Sequence, residues 1–326
     1  MTDDNVTKPV VLLVDDDHSF AEQKRILFTN LGYEAIVADS FVNTVLALDK
    51  HRYRLMVAIV DYHLDSRFED ERGRDVLTLI KNTVYEDFVI PYLLTGSDTT
   101  GIISKVTKTG LAVTALSKDI NDDDLVSQVL NPRLLRAQYA LTHDHMSPLL
   151  NYPTFRRCVE HFLADARSIG KGTGRRRPMG TMLSFDLNSF KDINDRYGHF
   201  TGDLVIGGVG GLLKSHLDHG DIVCRKSGDE YLLFLVNTRR ELAREIANRI
   251  MRETKNKVFT SLDGQQISGL TASIGVKETD ARLLHEGTEP VGSLFEKMMH
   301  EADVGEDGLN AAKSAALKEG LRHLRE

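Results

Sequence analysis

Val10-Val11-Leu12-Leu13-Val14-Asp15-Asp16 is a short apolar run that ends on two carboxylates. An unbroken apolar run of this length, closed by polar residues, reads as a strand buried on both faces, as in a parallel sheet. Similar runs follow at Tyr33 to Ala38, Leu55 to Val60, Val89 to Leu94 and Ala112 to Leu116, with longer amphipathic stretches between them. Strands alternating with helices predict an N-terminal doubly wound (βα)5 domain of the α/β class over residues 1–130. In the first helix Phe20, Leu27 and Leu31 recur on one face, and Gly32 stands where a C′ residue would end it.

Outward from this domain, residues 121 to 143 read as a last helix that runs into a helical linker at 131–143, with Pro132 as a kink or restart point. Residues 144–326 follow a different pattern. A helix around Thr154 to Ser168 precedes a loop rich in Gly and Arg, then a strand at Gly180 to Asp186 and a helix from about Thr201. A hairpin of residues 221 to 226 and 231 to 236, a helix at 239 to 254, a strand at 269 to 276 and a helical tail complete the chain. Strands that return on themselves predict an α+β domain with a mostly antiparallel central sheet.

The chain of 326 residues is long enough for two self-sufficient cores. A formal net charge of -7 argues against nucleic-acid binding, whose footprint is basic. Apolar runs such as Leu55 to Val60 fall far short of the roughly 20 residues that span a bilayer, so no membrane segment is expected. The acidic start Met1-Thr2-Asp3-Asp4 lacks the features of a signal peptide, which predicts a cytoplasmic protein. Cys158 and Cys224 are the only cysteines and lack metal-ligand spacing, so both are expected to be buried thiols.

Asp15 and Asp16 end the first strand, Asp61 the third, Thr95 the fourth and Lys118 the fifth. The carboxyl ends of a parallel sheet meet where such sheets bind ligands. Clustered carboxylates repel one another unless a hard cation joins them, and oxygen ligands suit Mg²⁺. A hydroxyl and an ammonium beside them can reach the oxygens of an aspartyl phosphate. Over roughly the first 130 residues the sequence resembles the receiver domain of response regulators. That resemblance implies Asp61 as phosphoacceptor, Mg²⁺ held by Asp15, Asp16, Asp61 and the His63 carbonyl, and Thr95 and Lys118 as switch residues. It also implies a histidine kinase or phosphotransfer protein as partner. The sequence departs from the family where Asp119 replaces a proline, where Ala115 replaces the switch aromatic, and in the charged loop Ser66-Arg67-Phe68-Glu69-Asp70-Glu71.

In the second half, Phe185-Asp186-Leu187-Asn188-Ser189-Phe190-Lys191-Asp192-Ile193-Asn194-Asp195 follows a strand, and Gly198-His199-Phe200-Thr201-Gly202-Asp203 opens the next helix. Arg225-Lys226-Ser227-Gly228-Asp229-Glu230-Tyr231 lies between two apolar runs. A tight turn bearing two carboxylates, opposite a strand-end carboxylate, can hold divalent cations on a triphosphate. With Asp144-His145-Met146-Ser147-Pro148-Leu149-Leu150-Asn151 and Thr271-Ala272-Ser273-Ile274-Gly275-Val276, these residues resemble the GGDEF domain of diguanylate cyclases, with the signature written SGDEY. The resemblance implies Asp186 and Asp229 as ligands of Mg²⁺, Glu230 at the 3′-hydroxyl, Asn194 and Asp203 on guanine, and Lys191, Ser227 and Gly228 beside the phosphates. GTP or cyclic di-GMP would be bound, and two domains would act as a homodimer.

Against full activity stands the stretch Ala302-Asp303-Val304-Gly305-Glu306-Asp307-Gly308-Leu309-Asn310, which lacks the family's phosphate-gripping Lys and Arg; Lys313 is a displaced substitute. Two readings stay open: a cyclase controlled by Asp61 phosphorylation, and a catalytically degenerate domain that binds nucleotide or a protein partner. The family's inhibitory motif reads Asp218-His219-Gly220-Asp221, with Asp218 where an arginine would stand, so no tight product site is expected there. Gly207-Gly208-Val209-Gly210-Gly211 lies within a helix and reads as close helix packing rather than as a phosphate loop. Arg175-Arg176-Arg177 reads as an exposed loop, with an anion or partner contact as the alternative.

Overall fold

β1 (Val10–Val14) is buried at every residue, as five successive apolar side chains require in a sheet covered on both faces. It pairs in parallel with β2 (Ala35–Ala38) and with β3 (Met56–Asp61), and the parallel ladder continues through β4 (Val89–Thr95) to β5 (Ala115–Ser117). The order β2-β1-β3-β4-β5 changes direction between β1 and β3, which opens a crevice at their carboxyl ends. This is a computed structural model, and it describes residues 8–64, 72–96, 102, 108–169, 179–218, 220–279, 284, 287–304 and 308. The chain separates into two compact units, Met1–Thr142 and His143–Glu326.

In the first unit α1 (His18–Asn30) starts on Asp17, whose side chain accepts from the backbone N–H groups of Ser19 and Phe20. Gly32 follows its last turn with φ +78°, a backbone that glycine adopts without strain. The buried face is Ala21 and Phe28, not the Leu27 and Leu31 side; Leu31 is 44% exposed. Phe28 packs with Val11, Leu13, Val57 and Ile59, and the residues seven apart that face the sheet displace the expected stripe. Helices α2 (Phe41–Lys50), α3 (Arg72–Lys81) and α4 (Asp122–Val129) also belong to this unit. Residues 131–143, expected as a linker, largely form α5 (Pro132–Thr142), which packs on this unit: Leu135 joins its core and Gln138 Nε2 donates to the Asp87 carbonyl at 2.7 Å.

The second unit comprises β6 (Leu150–Asn151), α6 (Tyr152–Ile169), β7 (Gly180–Leu187), α7 (Phe190–Tyr197), α8 (His199–Ser215), β8 (Ile222–Ser227), β9 (Glu230–Val236) and α9 (Arg240–Asn256). A small hairpin of β10 (Phe259–Thr260) and β11 (Gln266–Ile267) follows, then β12 (Ala272–Glu278) and α10 (Val291–Val304). Its sheet runs β12-β7-β9-β8-β6. The expectation of a mostly antiparallel sheet is corrected to a mixed one: β12, β7, β9 and β8 pair antiparallel, while β6 joins β8 in parallel. Two residues at the start of the domain make that parallel edge, too short a run to leave a pattern in the sequence.

Odd-numbered residues of β7, Leu183, Phe185 and Leu187, face a core shared with Val205, Val209 and Leu213 of α8. Even-numbered Ser184 and Asp186 face the opposite side, as strand alternation requires. The glycine run lies inside α8. A Cβ at Gly208 would come 2.7 Å from the Phe259 ring and one at Gly210 2.9 Å from Ser147 Cβ, so close packing explains these two, while Gly211 faces open space. Cys158 and Cys224 are buried and form no disulfide, and burial pushes the Cys224 thiol well above its usual pKa. Among the described residues no helix is long and apolar enough to cross a membrane. The loop from Ser66 to Glu71, Arg175 to Arg177, His219, Gly305 to Asp307, Leu309, Asn310 and Lys313 lie outside the described residues.

Candidate functional site

Three strand ends build the first site. Asp15 and Asp16 follow β1, Asp61 is the last residue of β3, and one carboxylate oxygen from each lies within 4.8 Å of the others. The Lys118 backbone N–H donates to the Thr95 carbonyl at 2.9 Å, which brings the end of β5 beside that of β4. From there Lys118 Nζ reaches 2.9 Å from Asp15 Oδ2 and 3.1 Å from Asp61 Oδ2. Burial works against the ammonium, but the two carboxylates outweigh it and raise its pKa. Burial likewise raises the Asp15 carboxyl above its usual value despite the opposing pull of Lys118 and the Asp17 N–H.

Asp15 Oδ2 accepts no well-directed hydrogen bond, so its contact with Lys118 is ionic. A buried, incompletely satisfied carboxylate beside two others fits a hard cation, which would take these oxygens as ligands. Thr95 is fully buried; His63 stands exposed in the turn after β3, its ring edge-on to Tyr62. Ala115 is buried in β5 opposite Leu93. Gly73 was missed by sequence reasoning. A Cβ there would lie 1.9 Å from the Asp61 carbonyl oxygen, so only glycine lets α3 approach the end of β3 this closely.

The second set lies at one end of the β7-β9-β8 strands. Asp186 is buried near the end of β7 and pairs in register with Glu230, and Asp229 occupies the turn before β9, its carbonyl accepting from the Leu187 N–H at 3.3 Å. Gly228 has φ +48°, the left-handed backbone that favours glycine, whereas Ser227 is not among the positive-φ residues and tolerates its side chain. Ser227 Oγ instead donates to Glu230 Oε2 at 3.2 Å, and Lys226 Nζ lies 3.3 Å from the same oxygen. Drawn toward Lys226 and Ser227, Glu230 does not close with Asp186 and Asp229 into a three-carboxylate group; among the described residues only Asp15, Asp16 and Asp61 form one. The carboxylates of Asp186 and Asp229 have the donor chemistry for Mg²⁺. Asn194 of α7 lies against α8 at Gly202, where a Cβ would meet Asn194 Oδ1 at 1.9 Å, and Asp203 follows, exposed. Lys191 is exposed on α7.

Two connections in this unit left no sequence signal. Arg225, only 11% exposed, pairs through Nη1 with Asp144 Oδ2 at 3.2 Å and donates from Nε to the Gly228 carbonyl at 2.8 Å. Asp144 Oδ1 also accepts from the backbone of Met146 and Ser147, so the hairpin is tied to the loop that opens the domain. On the other face Lys226 Nζ stands 3.8 Å from Asp303 Oδ2, and Asp303 Oδ1 accepts from Ser184 Oγ at 2.5 Å. Asp303 and Glu230 outweigh burial and hold the Lys226 ammonium above the usual lysine pKa. At the turn expected not to inhibit, Asp221 is structural: its carboxylate accepts from the Val236 and Asp218 N–H groups at 2.8 and 3.1 Å.

The family profile described as "Diguanylate cyclase, GGDEF domain" matches residues 141–303, half of the chain. Diguanylate cyclase A of Treponema denticola is 32% identical over 162 residues, 49% of this chain and 41% of that protein. Diguanylate cyclase DgcM of Escherichia coli is 34% identical over 164 residues, 49% of this chain and 35% of that protein. Response regulator PleD of Caulobacter vibrioides is 33% identical over 128 residues, 39% of this chain and 26% of that protein. The chain thus spans well under half the length of these relatives. The matched residues hold the Asp186–Glu230 pairing, the Asp229 turn and the Asn194–Gly202 helix contact, and through them the chain belongs to the GGDEF domain family.

Proposed function

We propose that the chain is a two-component response regulator in cyclic di-GMP signalling. Its N-terminal unit accepts a phosphoryl group on Asp61, and its GGDEF domain joins two GTP molecules into cyclic di-GMP under that control. The observation that carries the output reading is Asp186 paired with Glu230 across β7 and β9, with Asp229 in the adjoining turn. In the input step an Asp61 carboxylate oxygen forms a bond to the donor's phosphorus and the donor group leaves, while Lys118 balances charge beside the new phosphate.

In the output step the 3′-hydroxyl of one GTP attacks the α-phosphorus of the other, Glu230 takes up the hydroxyl proton, and pyrophosphate leaves. Repeated once, this yields the cyclic product and two pyrophosphates, and because each domain brings one GTP the reaction needs a homodimer. Mg²⁺ bound at Asp186 and Asp229, as at Asp15, Asp16 and Asp61, would supply charge stabilisation to the phosphate oxygens. Asn194 and Asp203 face guanine; Lys191, Ser227 and Gly228 border the phosphates. A histidine kinase or phosphotransfer protein supplies the phosphoryl group.

One observation favours a second reading: Glu230 is engaged by Lys226 and Ser227, and the stretch 302–310 carries no Lys or Arg. On that reading the domain binds GTP, cyclic di-GMP or a protein partner and performs no chemistry. The two separate when purified chain is incubated with GTP and Mg²⁺ and the products are resolved by chromatography. The linear intermediate pppGpG and cyclic di-GMP, both absent with Asp186→Ala, support the cyclase. GTP that is bound but unconverted supports the effector, and GTP neither bound nor converted refutes both nucleotide readings.

A further inference from the structure

We infer that Lys226 is the cation that grips the terminal phosphates of the nucleotide, an inference that rests on the nucleotide-binding reading above. The face of the sheet that carries Asp186 and Glu230 also carries Asp303, and a triphosphate brought there adds further negative charge. Mg²⁺ would offset part of that charge and a side-chain cation would add a directed contact; residues 302–310 supply only Asp303, Glu306 and Asp307 as charged groups, and Lys313 is the next cation along the chain.

The register of β8 shifts between Arg225 and Ser227, and at this bulge the two neighbouring basic residues take different partners. Arg225 goes to Asp144 and the Gly228 carbonyl, where its guanidinium is held at 11% exposure. Lys226 goes to the acidic face, one residue before the Ser227-Gly228 turn, with its Nζ 3.3 Å from Glu230 Oε2 and 3.8 Å from Asp303 Oδ2. Ser184 Oγ anchors Asp303, so the ammonium rests between two held carboxylates rather than swinging free. An ammonium has three N–H donors. Glu230 lies within hydrogen-bond reach of one, and Asp303 stands at ion-pair rather than hydrogen-bond distance, which leaves donor capacity for a phosphate oxygen without release of Glu230.

The consequence is a preference set by phosphate number: Lys226 contributes to GTP binding and leaves GMP binding nearly unchanged. Calorimetry on the full chain with Mg²⁺ compares GTP and GMP for wild type, Lys226→Met and Lys226→Arg. Wild type should bind GTP more tightly than GMP, Lys226→Met should cut that ratio about tenfold, and Lys226→Arg should restore most of it. Because the ratio is taken on one sample, partial unfolding of a variant cancels. A GTP-preferring wild type whose ratio survives Lys226→Met overturns the inference alone, and so does an equal fall for both nucleotides, which marks Lys226 as a support for Glu230. Wild type that binds neither nucleotide overturns this inference together with the reading on which it rests.

Discussion

In the first unit Asp15, Asp16 and Asp61 sit at the ends of adjacent parallel strands, and their carboxylate oxygens gather within 4.8 Å around Lys118. In the second, Asp186 and Glu230 sit opposite each other on antiparallel strands, yet Glu230 turns to Lys226 and Ser227. Parallel strands end at one edge, so the backbone alone makes their terminal side chains converge. An antiparallel strand pair aligns residues in register but leaves side-chain direction to local partners. The carboxylates of the first set are therefore gathered already, whereas in the second set Glu230 is held by Lys226 and Ser227.

The sharpest way to break this contrast is at Asp61. Asp61→Asn should abolish phosphoryl incorporation from a small phosphodonor, read as the loss of the adduct by mass spectrometry, and should leave GTP binding by the second unit intact. An adduct that persists would refute the assignment. In the second unit Asp229→Ala should remove Mg²⁺-dependent GTP binding, and Asn194→Ala should lower the preference for GTP over ATP by roughly tenfold, the loss of one recognition contact. Equal losses for both nucleotides on Asn194→Ala would show that the residue supports the fold instead of reading the base.

A smaller effect tests the scaffold of the second site. Arg225→Leu leaves the half-buried Asp144 without its guanidinium partner, and with solvent and His145 still beside it the loss should be about 1–2 kcal/mol. Urea unfolding should show that loss in the second unit alone. A change within measurement error would mean that the Asp144 contacts to Met146 and Ser147 suffice to hold the opening loop.

The longer strands were legible in the sequence because alternation between apolar runs and carboxylate ends is local, while the two-residue strands β6, β10 and β11 left no pattern. Strand limits were not. β5 begins at Ala115 rather than Ala112 because its ladder partners on β4 are Leu93 to Thr95, and the buried stripe of α1 is set by Phe28 against the sheet. The residues of both candidate sites were legible as strand ends and turn carboxylates. The ties from Arg225 to Asp144, from Lys226 to Asp303 and from Ser184 to Asp303 were not, because each joins residues far apart in the chain through side-chain direction alone.

The smallest expected effect is a pH slope at the turn of the second unit. Burial outweighs the Val236 and Asp218 N–H bonds and raises the Asp221 carboxyl above its unfolded value. The native state therefore holds this proton to higher pH than the unfolded chain. Its stabilising contribution is complete below the unfolded pKa and declines as pH rises through the raised native value. From about pH 4 to pH 6, spanning the carboxylate range, wild type should lose stability relative to Asp221→Asn in matched urea titrations. A relative gain over that range would show the carboxylate to be favoured by its partners.

The central claim, that the first site controls the second, is tested most directly by the rate of cyclic di-GMP formation from GTP and Mg²⁺ with and without a small phosphodonor. The account predicts that the donor accelerates wild type and leaves Asp61→Asn unchanged. Equal acceleration of Asp61→Asn, or no cyclic di-GMP from either protein in either condition, would contradict it.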